Sequence, residues 1–229
     1  MSGWGFFDFF SRLFSRQTPP ASASSTVEPY AVPVAPSAPS VPPVVPPPLT
    51  AAPAAEALPS VSLGQDVPPE GVALIKHWEK CILSPYLDSG GVPTIGWGDI
   101  TYMNGKPVSM TDPKLTQAEA DLLLKNKLEK EFWPNTRKLL PEGTPSRVAG
   151  AFLSLAWNIG YGDKGLAGST AIRKLRAGDL DGALAAMELW KKDNGKTVKG
   201  LQRRRRSEIL VAKGYNLVDA VAAAIKAYP

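Results

Sequence analysis

With 229 residues the chain has room for one or two domains, and its prolines decide between these: 15 of 23 lie within residues 17–69. Cys81 is the only cysteine, which excludes an intrachain disulfide, and His77 is the only histidine, which excludes His-rich metal sites and an ordinary Ser-His-Asp triad. The net charge of +5 is divided unevenly: residues 1–70 carry −3 and residues 71–229 carry +8, a balance that suits an anionic polymer. No zinc-finger spacing and no RNA-binding aromatic motif accompanies it, so nucleic acid is not the expected partner.

The first segment, residues 1–16, does not read as a secretory signal, because it lacks a basic opening and its apolar run is broken by Asp8 and Arg12. It is too short to span a bilayer. Asp8, Ser11, Arg12, Ser15 and Arg16 share one helical face, while Trp4, Phe6, Phe7, Phe9, Phe10, Leu13 and Phe14 cover the rest. Three uses fit: docking on the protein's own domain, insertion of residues 4–14 into a membrane surface, or a helix laid in a partner protein's groove. Residues 17–69 follow as a Pro/Ala-rich linker. Proline has no N–H to donate, so the stretch VPVAPSAPSVPPVVPPPL is expected to be extended and disordered.

Residues 70–229 are left for one globular domain, enough to bury a core. In GVALIKHWEK, apolar residues recur at helical spacing up to Glu79. His77 reads as a partly exposed helix residue and Cys81 as a small buried hydrophobe. Asp88-Ser-Gly-Gly is a turn signal, and Thr94-Ile95 begins a strand-like segment after it. ITYMNGKPVSM carries an Asn-Gly turn between two short β-like runs. Thr116 and Glu119 form a capping box that opens a helix, with Ala120, Leu123, Leu124, Lys127 and Leu128 on its buried side and Pro134 at its end. Ser146 opens a central core helix, Ser169-Thr170 start another that stops at Gly178, and Asp179 or Asp181 opens the next. Leu201 begins a helix containing Arg203 to Arg206. Spacing turns at least Arg205 toward the core, so the run reads as structural pairing, with Arg204 or Arg205 facing acids near the cleft and the others solvated. NLVDAVAAAIKAYP reads as a final packed helix.

A carboxyl at a helix end and another on a hairpin can face each other across a cleft. Cleavage of a glycosidic bond needs that pair: an acid for the leaving oxygen and a carboxylate for water or the sugar. Here the pair is Glu79 and Asp88.

The spacing Glu79, Asp88, Thr94, followed by Ile95-Gly96-Trp97-Gly98, resembles the phage-type lysozyme (muramidase and endolysin) family, which includes the T-even phage lysozyme. AFLSLAWNIGYG, GSTAIRKLRAGDL and KGLQRRRRSEIL continue the likeness in the family's order, over roughly residues 70–214. Two positions depart from it: Lys80 stands where many members have glycine, and Asp99 where a His or Asn ties the hairpin to a neighbouring helix.

The resemblance implies an α+β, lysozyme-like fold with a small β-hairpin subdomain and a larger helical lobe. It implies a peptidoglycan hydrolase that cleaves the β-1,4 bond between N-acetylmuramic acid and N-acetylglucosamine. Glu79 is then the general acid, Asp88 handles water or developing charge, and Thr94 holds the water. Trp97, Trp157 and Asn158 are expected to meet substrate. No metal or other cofactor is needed, and a monomer is expected. The place of action would be the host cytoplasm with release to the periplasm or cell wall, or the virion. The alternatives are a lytic transglycosylase, or a non-catalytic wall-binding or virion module.

Overall fold

The computed structural model describes residues 67–88, 90–193 and 195–229. The aromatic segment of residues 1–16, and the linker apart from its last three residues, lie outside the described residues. No helix among those described is long and apolar enough to cross a membrane.

The first helix, α1 (Pro69–Trp78), starts on a proline, whose fixed φ suits a first helical turn and whose missing N–H costs nothing there. It lies against α4 (Ser146–Ile159), the central helix of the lobe, in which twelve of fourteen residues are buried. The two backbones nearly touch. A Cβ on Gly71 would sit 2.9 Å from Gly150 O, and one on Gly150 would sit 2.7 Å from Gly71 N. Only glycine allows that approach. Ser146 Oγ donates to Glu70 Oε2 at 2.8 Å and fastens the same end of the crossing.

After α1 the chain forms an antiparallel hairpin, β1 (Ile82–Leu87) with β2 (Pro93–Gly96), in which Tyr86 faces Thr94 and Leu87 faces Pro93. Gly91 takes φ 78° in its turn. The Asn-Gly segment also turns: Gly105 has φ 80° and Tyr102 N bonds Lys106 O. Its flanks pair only through the single Thr101–Pro107 bridge, so the two β-like runs do not form strands.

The capping box is present. Thr116 Oγ1 accepts from Glu119 N at 3.2 Å, and Thr116 N donates to Glu119 Oε2 at 2.7 Å, at the start of α2 (Gln117–Lys127). Pro134 does not end this helix as expected. A π-helical turn over Leu128–Phe132 links α2 directly to α3 (Trp133–Arg137). Proline cannot donate to the helical ladder. The π turn resets the register, with Trp133 N bonding Leu128 O, and Pro134 falls in the first turn of the new segment. Asn135 Nδ2 satisfies Glu131 O at 2.8 Å.

Two short helices follow α4. Ser169 caps α5 (Thr170–Arg176), Gly178 turns the chain at φ 79°, and Asp179 caps α6 (Leu180–Met187) by accepting from Gly182 N at 2.8 Å. A two-residue ribbon, β3 (Lys192–Asp193) with β4 (Lys196–Thr197), leads into α7 (Lys199–Ala212). α7 thus begins two residues before Leu201.

The main core gathers Ile75, Leu124, Phe132, Phe152, Leu155, Trp157, Ile172 and Met187 around α4. α8 (Leu217–Ala227), capped by Asn216, packs Ala220 with Leu74, Leu210 and Val211. At roughly 25 cal/mol per Å² of apolar surface, each large aliphatic side chain so buried contributes about 1.5–3 kcal/mol.

Candidate active site

Glu79 is the residue that ends α1. Its backbone N–H closes the helix on Ile75 O at 2.9 Å, and its φ and ψ of −91° and 141° turn the chain toward β1. This geometry tucks the carboxyl back onto the lobe, where Glu79 is 8% exposed. Its Oε1 accepts from Arg204 Nη1 of α7 at 2.7 Å. α1 and α7 are tied a second time through the preceding residue, Trp78, whose Nε1 donates to Ser207 Oγ at 2.9 Å.

The arginine run pairs internally, as its helical spacing implies. Arg205 turns inward, but so does Arg204, and both are fully buried. Arg204 is the one that reaches Glu79; Arg205 Nη2 and Arg204 Nε both donate to Glu208 Oε1, at 2.9 and 3.2 Å. Burial lowers the Arg205 guanidinium to about 10, against the opposing pull of Glu208. Arg203 Nε donates to Tyr228 O at 2.8 Å, so it is not simply solvated.

The hairpin fixes the other two members of the motif. Asp88 Oδ1 accepts from Gly90 N and Val92 N, each at 2.8 Å, an Asx turn that holds the carboxyl at the strand end. Thr94 is 2% exposed and its Oγ1 donates to Val92 O at 3.0 Å. That bond uses its only proton and leaves the oxygen able to accept one. Tyr86, the cross-strand neighbour of Thr94, lies within electrostatic reach of Asp88, Glu79 and Asp99, and its hydroxyl is raised mainly by burial and then by those charges. Nothing in the local sequence marks Tyr86, although it faces Thr94 and precedes Asp88 by two residues.

Asp99 occupies the position flagged as a departure. It is 3% exposed, exchanges backbone hydrogen bonds with Ile95, and faces Lys127 of α2 at 3.7 Å. The hairpin is thus tied to the neighbouring helix by a pair in which the hairpin supplies the anion. Burial raises its carboxyl above the ordinary range, with Lys127 opposing.

The aromatic positions are more enclosed than expected. Trp97 is 9% exposed, with Nε1 donating to Asp121 Oδ1 at 2.8 Å and Lys76 Nζ 5.6 Å from the ring centroid. The flanking glycines do not expose it, because they let the hairpin fold the indole down onto α2. Trp157 is 3% exposed, its ring 4.7 Å from that of Phe132 and 5.4 Å from Lys127 Nζ, so it lies in the core. Asn158 is also buried. Cys81 is only partly buried and accepts from Gln117 Nε2 at 3.6 Å; burial raises its thiol. His77 is exposed on α1. Among the described residues no group of three or more His, Cys, Asp or Glu side chains is placed to hold a metal ion.

The chain thus places a glutamate at a helix end on a buried arginine, and a carboxylate and a hydroxyl on the hairpin that follows. The family described as Phage lysozyme matches residues 76–208, from the last turns of α1 into α7. The chain belongs to the phage lysozyme family. Among curated relatives of this phage lysozyme, the SAR-endolysin of Bacteriophage PS119 is 34% identical over 127 residues, covering 54% of the chain and 70% of the relative. The endolysin of Salmonella phage P22 is 32% identical over 142 residues, 61% of the chain and 93% of the relative. Among solved structures, an endolysin from Escherichia coli O157:H7 phage FAHEc1 superposes with a TM-score of 0.58 at 34% identity, over 65% of this chain and 94% of that one. A mutant of P22 lysozyme gives the same TM-score at 30% identity, over 65% and 99%. These likenesses support a lysozyme-like α+β fold and make the phage lysozyme a glycosidase-type, peptidoglycan-cleaving enzyme.

Proposed function

We propose that the protein is a muramidase that hydrolyses the β-1,4 bond between N-acetylmuramic acid and N-acetylglucosamine, with Glu79 as general acid. The observation that carries this reading is the setting of Glu79: a nearly buried carboxyl at the end of α1, held through Oε1 by Arg204 at 2.7 Å. With Oε1 committed to the guanidinium, the acid proton resides on Oε2, and Oε2 delivers it to the leaving glycosidic oxygen. Asp88, fixed by Gly90 N and Val92 N, receives a proton from the attacking water or balances positive charge on the sugar. Thr94, its own proton given to Val92 O, accepts a hydrogen bond from that water and orients it. Attack from the face opposite the leaving group inverts the anomeric carbon. The sequence motif and the hairpin's hold on a second carboxylate both support hydrolysis. The place of action is a bacterial envelope in the course of phage lysis or wall penetration, and the +8 charge of residues 71–229 suits its anionic polymers.

The test is Glu79→Gln. General acid catalysis is typically worth about 10²–10⁴-fold, and clearing of permeabilised Gram-negative cells should fall by that much while far-UV circular dichroism is unchanged. Products released by the unmodified protein from purified peptidoglycan should carry reducing muramic acid ends. Near-normal clearing by the variant overturns the acid assignment, and anhydro-muramic ends overturn hydrolysis.

A further inference from the structure

Glu208 is a fully buried carboxylate that the catalytic motif does not include. A single one of its oxygens, Oε1, accepts three hydrogen bonds: from Ser154 Oγ at 2.7 Å, Arg205 Nη2 at 2.9 Å and Arg204 Nε at 3.2 Å. The rest of the Arg204 fork is also engaged, Nη1 with Glu79 Oε1 at 2.7 Å and Nη2 with Ser154 O at 3.3 Å. One guanidinium therefore bridges two carboxyls, Glu208 on its own helix and Glu79 at the end of α1. Ser154, on α4, touches both the guanidinium and Glu208.

This arrangement answers a difficulty in the chemistry. A buried arginine whose only carboxylate were Glu79 would bind it most tightly in the ionised form, which has no proton to give. Glu208 supplies that arginine with a second carboxylate partner. Among the described residues, other charges also stand near the bridge. On the α7 side they are Arg205, which Glu208 also engages, and Glu188, which faces Arg205. On the hairpin side Tyr86 faces Glu79, with Asp88 and Asp99 beyond it.

We propose that Glu208 is a positioning residue for the acid: it clamps Arg204 so that Nη1 meets Glu79 Oε1, and it draws off enough of the guanidinium's charge for Glu79 to keep its proton. This rests on Glu79 being the general acid.

The experiment compares kcat/KM against pH on purified peptidoglycan for the full chain, Glu208→Gln, and Glu208→Gln/Arg205→Met. Glutamine keeps an oxygen for the same donors and removes only the charge. The double variant removes one buried cation along with the anion, so it keeps the interior balanced and carries the test where the single variant does not fold. An opposite charge at this range moves a carboxyl by about 1–3 pH units. With Glu208 neutral, the high-pH limb should therefore move to lower pH by about one unit or more, a loss of about tenfold above the limb and a smaller one below it. A limb that stays at its original pH, whether activity drops uniformly or not at all, overturns the role of Glu208. A merely structural part in the core would lower the folded fraction without moving the limb. Glu79→Gln separates the two ideas: if it keeps turnover, the acid assignment has failed, and if it is inactive while the Glu208 limb is unmoved, only this inference has.

Discussion

Replacing Lys127 with Met should destabilise the protein in a way that depends on pH. Lys127 Nζ stands 3.7 Å from Asp99 Oδ1. Two unit charges at that distance attract by about 4–5 kcal/mol at an effective dielectric constant of ~20. Lys127 keeps 28% of its side chain exposed, so water screens part of this. Breaking a wholly buried pair costs about 3–5 kcal/mol, and the screened pair should cost about 2–3 near neutral pH. Asp99 sets the sign of the pH dependence. Burial already holds its folded-state pKa above the unfolded value, and losing Lys127 raises it further. A raised carboxyl favours the folded state below the unfolded pKa, and that contribution is lost as pH rises through the folded one. The penalty of Lys127→Met should therefore be small near pH 4 and full near pH 7. The contact of Lys127 with the Trp157 ring adds about 0.5–1 kcal/mol that does not vary with pH. Urea melts followed by circular dichroism at the two pH values measure both parts. Adding Asp99→Asn should restore most of the loss near pH 7, because it removes the stranded charge. An equal loss at both pH values, or no rescue by the second substitution, refutes the reasoning.

Asp88→Asn should reduce release of reducing ends by at least about 10²-fold if a carboxylate must handle water or charge; full activity with anhydro products would make the protein a transglycosylase. Gly150→Ala places a Cβ 2.7 Å from Gly71 N and 3.0 Å from Glu70 Cβ. It should cost about 1–3 kcal/mol through overpacking, even though alanine is the better helix former by about 1 kcal/mol. A thermal melt decides, and a raised Tm would show that the two helices can part without penalty.

The elements that announced themselves in the sequence are those fixed by neighbours along the chain. Thr116 and Glu119 are three residues apart and meet within one helical turn; Asp88 finds its partners in Gly90 and Val92; Asn216 caps α8 through Asp219 N. Glu79, Asp88 and Thr94 lie on a helix end and the tight hairpin that follows it, so they stand close along the chain. What stayed hidden depends on distant partners. Helical spacing turns Arg204 or Arg205 toward acidic partners, but it does not say that Arg204 meets Glu79, 125 residues away, or Ser154 on α4. Nor does anything near Asp99 in sequence name Lys127. Trp97 lies between glycines that suggest exposure, and only its bond to Asp121 shows that the ring folds inward. Pro134 is the clearest miss: local chemistry ends the helix there, but the π turn admits the proline, and burial of Phe132 and Trp133 favours continuing.

The crossing of Gly71 and Gly150 also sets where a load enters the molecule. α1 is ten residues long, so its ends are about 15 Å apart. Glu79 occupies one end, and the chain joins the domain at the other, beside Ser146 and Gly150. Anything attached ahead of Pro68 is moored at the heel of the lobe rather than at the lip of the cleft. A pull on that mooring passes first into α4, through the Glu70–Ser146 bond and the close approach of Gly71 to Gly150. Glu79 lies at the far end of α1 from this contact. A domain built this way can be tethered or immobilised from its N-terminal side with Glu79 about 15 Å from the attachment point.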